Sequence, residues 1–265
     1  MRQRIITAIL AALIFLPLVF FGGIPFVLLV YFMASVCLFE LLRMKNIHIL
    51  TLPGILSLIL LWIFLIPAEK HDVFFSLATE TKMMLFLFGT FAFLSYTVIS
   101  KNKFNFEDVA FSILGTLYTG TGFYYLMETR FAGVVYIFFA LFVIWATDSG
   151  AYFTGRAFGK RKLAPHISPN KTVEGSLGGL VCSLIVAFLF YKFTGLGDNL
   201  TAGKLFIVTA ILSAAGQLGD LVESALKRFY NVKDSGKILP GHGGMLDRVD
   251  SWLFVMPLLS FLNII

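Results

Sequence analysis

The stretch GDLVESALKRFYNVKDSGKILPGHGGMLDRVD, Gly219 to Asp250, gathers five acids, five bases and a histidine between two apolar segments. Asp220, Glu223 and Lys227 fall at i, i+3 and i+7, which is one face of a helix, and Ser224 and Arg228 lie beside that face. Asp247 and Asp250 repeat the i, i+3 spacing where the next apolar segment begins. Acidic helix ends joined by a tight loop can direct carboxylates onto one cation, and Mg2+ takes hard oxygen ligands, commonly one or two carboxylates with substrate phosphates and water. Asp220 and Asp247 are the expected metal pair, and Glu223 and Asp250 are further candidate metal ligands. The bases Lys227, Arg228, Lys233, Lys237 and Arg248 can neutralise a triphosphate and a lipid phosphate. His242, between two glycines, can donate a proton to a leaving phosphate or serve only as a structural hydrogen bond. Four glycines in the loop suit close backbone approach to a substrate. The combination points to phosphoryl or nucleotidyl transfer, in which positioning and charge neutralisation do most of the work. A set of mutually satisfied ion pairs is the plain alternative, but an apolar loop would join the two segments at lower desolvation cost.

A second polar region precedes it. WATDSGAYFTGRAFGK places Asp148 within an apolar helix or at its mouth, where it serves a site or simply pairs with Arg156 or a loop lysine. The following RKLAPHISPNKTVEG has bases, hydroxyls and two prolines, the composition of an anion site. Asn170 or Thr172 can cap the next helix, whose free N–H groups favour a phosphate, and Lys171 adds a point charge.

The elements that must hold these residues are membrane helices. With 58% hydrophobic and 14% charged residues and a mean hydropathy of +0.87, the chain lies far from soluble domains, where about 25% of residues are charged. Long apolar runs without alternation select helices, since lipid leaves no partner for an unpaired backbone group. Nine spans are expected, at 5–21, 25–41, 52–67, 83–99, 109–127, 132–149, 173–193, 204–222 and 251–265, making an all-α polytopic protein. Of the 21 Lys and Arg residues, 16 fall on the side of the N-terminus, which the positive-inside rule assigns to the cytoplasm together with both polar loops. That asymmetry accounts for the net charge of +6 without a nucleic-acid partner. Residues 1–131 form an N-terminal helical region and 132–265 a catalytic one. Glu40 and Arg43 read as a local i, i+3 ion pair at a helix end. Cys37 and Cys182 stand alone in apolar runs and read as packing residues. Arg2 and Arg4 ahead of the first apolar run resemble a signal peptide, but no clear cleavage site follows, so the segment is expected to remain as a helix.

The segment SALKRFYNVKDSGKILPGHGGMLDRVD, Ser224 to Asp250, resembles the signature of the phosphatidate cytidylyltransferase family, the CDP-diacylglycerol synthases. S-x-x-K-R, K-D at Lys233 and Asp234, L-P-G-H-G-G and D-R-x-D all stand at the family's spacing, and DSGAYFTGRAFGK and SPNKTVEGSLGG are similar to further blocks. The resemblance implies Mg2+-dependent transfer of the cytidylyl group of CTP to phosphatidic acid, giving CDP-diacylglycerol and pyrophosphate. It implies that Asp220 and Asp247 hold the metal, with room for a second metal or a monovalent cation. Ser224, Lys233, Asp234, Lys237 and Arg248 would then bind substrate, and Asp148, Asn170 and Lys171 would close the pocket. It also implies a homodimer in the bilayer. The absence of long soluble extensions favours a bacterial inner (plasma) membrane, with the active site on the cytoplasmic side. A CTP-using lipid kinase and an ion transporter are the competing readings. The D-G-x-x-A-R pattern of CDP-alcohol phosphotransferases does not occur.

Overall fold

The computed structural model describes residues 2–68, 76–196, 200–241 and 243–265. Nine helices and one short hairpin run through these residues: α1 (Arg2–Phe21), α2 (Gly23–Met44), α3 (Leu52–Leu65), α4 (Thr79–Ile99), α5 (Phe106–Ala132), α6 (Val134–Phe158), β1 (Lys162–Ala164), β2 (Ser168–Thr172), α7 (Val173–Phe193), α8 (Ala202–Phe229) and α9 (Leu246–Phe261). Five of the helices, α2, α4, α6, α7 and α8, are long and apolar enough to cross a membrane, while α1 and α3 carry shorter apolar stretches. A helix stands at each of the nine expected positions. Large apolar side chains such as Leu28, Phe88, Leu177 and Ile207 remain exposed along these helices, as a lipid-facing surface requires. The chain is therefore a membrane protein built mainly of helices.

Two compact units divide the chain. The first comprises Met1–Phe131 with Asp234–Asp247, the second Ala132–Lys233 with Arg248–Ile265. In the first, α1 packs on α2, α2 on α3 and α3 on α4. Leu60, Phe93, Phe104 and Val109 form a buried cluster, with the rings of Phe93 and Phe104 stacked at 6.1 Å. The Arg130 guanidinium donates to the carbonyls of Val19 and Phe20, satisfying acceptors at the end of α1 that have no partner within the helix. Gly22, at φ +69°, turns the chain from α1 into α2 beneath that guanidinium.

In the second unit α6 and α7 lie in close contact. A Cβ at Gly178 would come within 2.0 Å of Thr154 Oγ1, so the approach needs a residue with no side chain, as small residues allow in membrane helices. Buried Thr147 donates to Ser213 Oγ at 3.0 Å, tying α6 to α8. Both cysteines conform to a packing role: Cys37 is buried, and Cys182 sits where a Cβ at Gly150 would touch it.

Three features depart from the sequence reading. The helix expected to end near 149 continues to Phe158; α8 likewise runs past its apolar span at 204–222 to Phe229, as the helical spacing of Asp220, Glu223 and Lys227 requires. Both extensions are amphipathic and carry charge, so hydropathy alone ends them early. The proline-containing loop after α6 pairs as β1–β2, with Lys162 opposite Thr172 and Ala164 opposite Ser168. Glu40, expected beside Arg43 at an interface, is fully buried and bound by backbone and hydroxyl donors instead.

Candidate active site

Because α6 runs on to Phe158, Asp148, Tyr152 and Arg156 fall at i, i+4 and i+8 on one face. The β1–β2 hairpin folds back beside that face. Glu174, in the first turn of α7, accepts from the backbone N–H groups of Lys160 and Arg161 at 3.0 and 3.1 Å, which anchors the hairpin's entry. Thr172 ends β2 and caps α7, its hydroxyl accepting from Gly175 N at 3.1 Å. Of the two expected caps, Thr172 takes the role; Asn170 is exposed on β2. At the hairpin's other end, Arg228 Nε donates to Ile167 O at 3.4 Å.

These elements enclose a cavity of about 460 Å³, lined by Asp148, Tyr152, Arg156, Asn170, Lys171, Gln217 and Asp220, among others. Lys171 Nζ pairs with Asp220 Oδ2 at 2.6 Å, and Ser224 Oγ donates to Asp220 Oδ1 at 3.3 Å. Asp250 belongs to the same unit. Gly219 explains how it reaches this neighbourhood, since a Cβ there would stand 2.8 Å from Asp250 O, so α8 and α9 touch backbone to backbone one residue from Asp220. Asp148, Asp220 and Asp250 lie within electrostatic reach of one another, with Lys171 and Lys227 as counter-charges.

The other expected residues are placed as follows. Glu223 is buried and forms an ion pair with Lys227 one turn along α8, so part of the lysine charge is engaged inside the protein. Lys233, Asp234, Lys237 and Arg248 are exposed. Asp247 belongs to the first unit, where its Oδ2 accepts from Ser235 N, Ser235 Oγ and Gly244 N at 2.9, 3.0 and 2.8 Å. His242 lies outside the described residues. The glycines at 236, 243 and 244, expected to admit a substrate, are approached by the protein's own Glu40 and Asp247 carboxylates.

Sequence reasoning passed over Tyr152, Gln217 and Glu174. The i, i+4, i+8 spacing from Asp148 could have found Tyr152 once the helix was known to continue. Glu174 stands in the first turn of α7, a position where acids are common for helix-dipole reasons alone.

The donor chemistry fits a hard divalent cation. Three aspartates of the second unit offer carboxylate oxygens. Among the described residues, no group of three or more His, Cys, Asp or Glu is placed to hold a metal ion by itself. A Mg2+ site needs only one or two carboxylates from the protein, because the ion keeps waters and takes substrate phosphates as ligands.

The model of the Cytidylyltransferase family matches residues 2–265. The chain belongs to this family. Among its relatives, the phosphatidate cytidylyltransferase of Bacillus subtilis (strain 168) is 54% identical over 265 residues, covering 99% of this chain and 97% of the relative. That of Staphylococcus saprophyticus is 49% identical over 264 residues, covering 100% of this chain and 99% of the relative. The Staphylococcus aureus (strain COL) protein of the same name is 46% identical over the same length. The match runs over the helices of both units.

Proposed function

We propose that this chain transfers the cytidylyl group of CTP to phosphatidic acid, giving CDP-diacylglycerol and pyrophosphate at a membrane. The observation that carries the reading is the cavity of the second unit, where carboxylates suited to a divalent cation stand beside bases suited to phosphates. The naming of the full-length relatives supports the choice of substrates.

An oxygen of the lipid phosphate attacks the α-phosphorus of CTP. The bond from that phosphorus to the bridging oxygen breaks, and pyrophosphate leaves with the electron pair. The attacking oxygen is already anionic, so no strong base is required; the barrier is repulsion between two anions. Lys171 and Arg156 face the cavity and offset that repulsion. Before substrate arrives, Asp220 holds Lys171 in place, and Ser224 steadies Asp220. A phosphate entering the cavity would compete with Asp220 for Lys171. Asn170, exposed on β2, offers an amide to the nucleotide or its phosphates. Bound Mg2+ would neutralise phosphate charge, and Asp220 and Asp250, with Asp148 beside them, are the second-unit residues that would hold it. Asp247 and Glu223 are the other expected ligands, and Lys227, Arg228, Lys233, Asp234, Lys237, Arg248 and His242 the remaining expected contacts. Substitution at each of these tests that assignment.

The reading includes nine spans with a cytoplasmic N-terminus and a cytoplasmic active site in the cell membrane. It also includes a homodimer, on the strength of the family resemblance. Cysteine labelling from either side of sealed vesicles tests the topology, and crosslinking in native membranes tests the dimer. For the reaction itself, purified protein in detergent should move label from CTP into chloroform-extractable lipid only with phosphatidic acid and Mg2+ present. No incorporation by folded protein would return the chain to the transporter reading.

A further inference from the structure

Glu40 is the buried acid that the chemistry above leaves unused. It lies near the end of α2 and is 0% exposed. Its hydrogen-bond donors among the described residues, Ser235, Met245 and Leu246, belong to the segment Asp234–Asp247. Oε1 accepts from Met245 N at 3.0 Å, and Oε2 accepts from Leu246 N at 2.9 Å and from Ser235 Oγ at 3.0 Å. Leu246 opens α9, so a carboxylate meets the free N–H groups at the start of that helix, where negative charge is favoured.

The segment is shaped to this side chain. A Cβ at Gly236 would come within 2.1 Å of Glu40 Oε1, and one at Gly244 within 2.5 Å of Oε2. Ser235 then links Glu40 to Asp247, its hydroxyl lying 3.0 Å from an oxygen of each. That hydroxyl has a single proton, so it donates to one carboxylate at a time, while Ser235 N and Gly244 N hold Asp247 from the backbone. The orientation of Asp247 thus depends on a loop conformation that Glu40 fixes from inside the first unit.

We propose that Glu40 is the positioning residue of the Asp234–Asp247 segment, setting the direction of Asp247 through Ser235, Met245 and Leu246 without touching substrate. The proposal rests on the reading of that segment as part of the transferase site. Three donors converge on two carboxylate oxygens, which an amide cannot fully replace: glutamine keeps one acceptor and turns an N–H2 group toward the remaining donors. Alanine removes the acceptor of the Met245 and Leu246 N–H groups, while the Ser235 hydroxyl keeps Asp247.

The test uses full-length protein in detergent and compares Glu40→Gln, Glu40→Ala and Ser235→Ala by hydrogen exchange and steady-state kinetics. In Glu40→Gln, the amides of Met245 and Leu246 should exchange about tenfold faster or more, with protection elsewhere unchanged, since each loses a bond to a charged acceptor. The kcat per folded molecule should fall about tenfold or more while KM for CTP and phosphatidic acid stays within about twofold, the pattern of lost alignment rather than lost binding. Glu40→Ala should be worse on both readouts, and Ser235→Ala should move both in the same direction by less. Wild-type exchange at these amides, or unchanged kcat, in folded Glu40→Gln overturns the proposal. Should neither Glu40 variant fold, unchanged exchange at 244–246 in Ser235→Ala overturns it instead. Faster exchange in the variants alongside a wild-type protein that transfers no label would overturn the transferase reading while leaving the role of Glu40 in the loop intact.

Discussion

Replacing Lys171 with alanine should separate function from stability. Its ion pair with Asp220 spans 2.6 Å, but the two side chains are 25% and 37% exposed, so water screens the attraction. Ion pairs of this kind contribute roughly 0.2–1 kcal/mol, so thermal unfolding should shift by at most a few degrees. On the proposed function the same ammonium would meet substrate phosphate in the cavity, and hydrogen bonds to charged groups are worth about 1.5–3 kcal/mol. That corresponds to a loss of about 10- to 150-fold in kcat/KM, with KM for an anionic substrate raised. The assay is incorporation of labelled CTP into lipid across a range of CTP and phosphatidic acid concentrations, with a thermal melt of the same preparation. A melt lowered by ten degrees or more with unchanged kinetics would refute the reasoning, because it would make Lys171 a structural tie and not a phosphate ligand.

Asp220→Asn and Asp250→Asn should each reduce turnover to background in protein that still inserts and melts cooperatively; near-normal incorporation by either variant removes that residue from the site. Gly178→Ala drives a methyl group to within 2.0 Å of Thr154 Oγ1, and such overpacking should lower stability by about 1–3 kcal/mol in detergent melts. Gly203→Ala is the matched control, since nothing lies within 4 Å of its added Cβ, and its melt should stay at or above that of the parent.

Much of the architecture was legible because lipid imposes a coarse rule. Runs of apolar residues long enough to cross the bilayer must be helical, and the helices stand where those runs are. The ends of α6 and α8 were not legible on that rule, because GAYFTGRAF and ESALKRF mix charge with apolar residues once the helix leaves the apolar stretch. This mattered for the site: Tyr152 and Arg156 line the cavity only because α6 does not stop at Asp148. The hairpin was hidden for another reason. Strands of three and five residues, one containing Pro169, carry too little alternation to announce themselves. Asp148 and Asp220 were picked as acids within or at the end of apolar runs, Asn170 and Lys171 from a loop of anion-site composition at a helix start, and the four line one cavity. Glu40 stands at the opposite limit. Arg43, three residues away, offered a local partner by spacing, whereas its real partners lie 195 to 206 residues along the chain, a pairing that no periodicity encodes.

The central claim is that the α-phosphorus of CTP is the atom attacked. Purified protein, phosphatidic acid and Mg2+ should be given CTP labelled either at the α- or at the γ-phosphate, with Asp220→Asn run alongside. The account predicts α-label in chloroform-extractable lipid, γ-label recovered as pyrophosphate, and neither from the variant. The γ-label appearing in lipid with CDP released would contradict it and make the chain a lipid kinase.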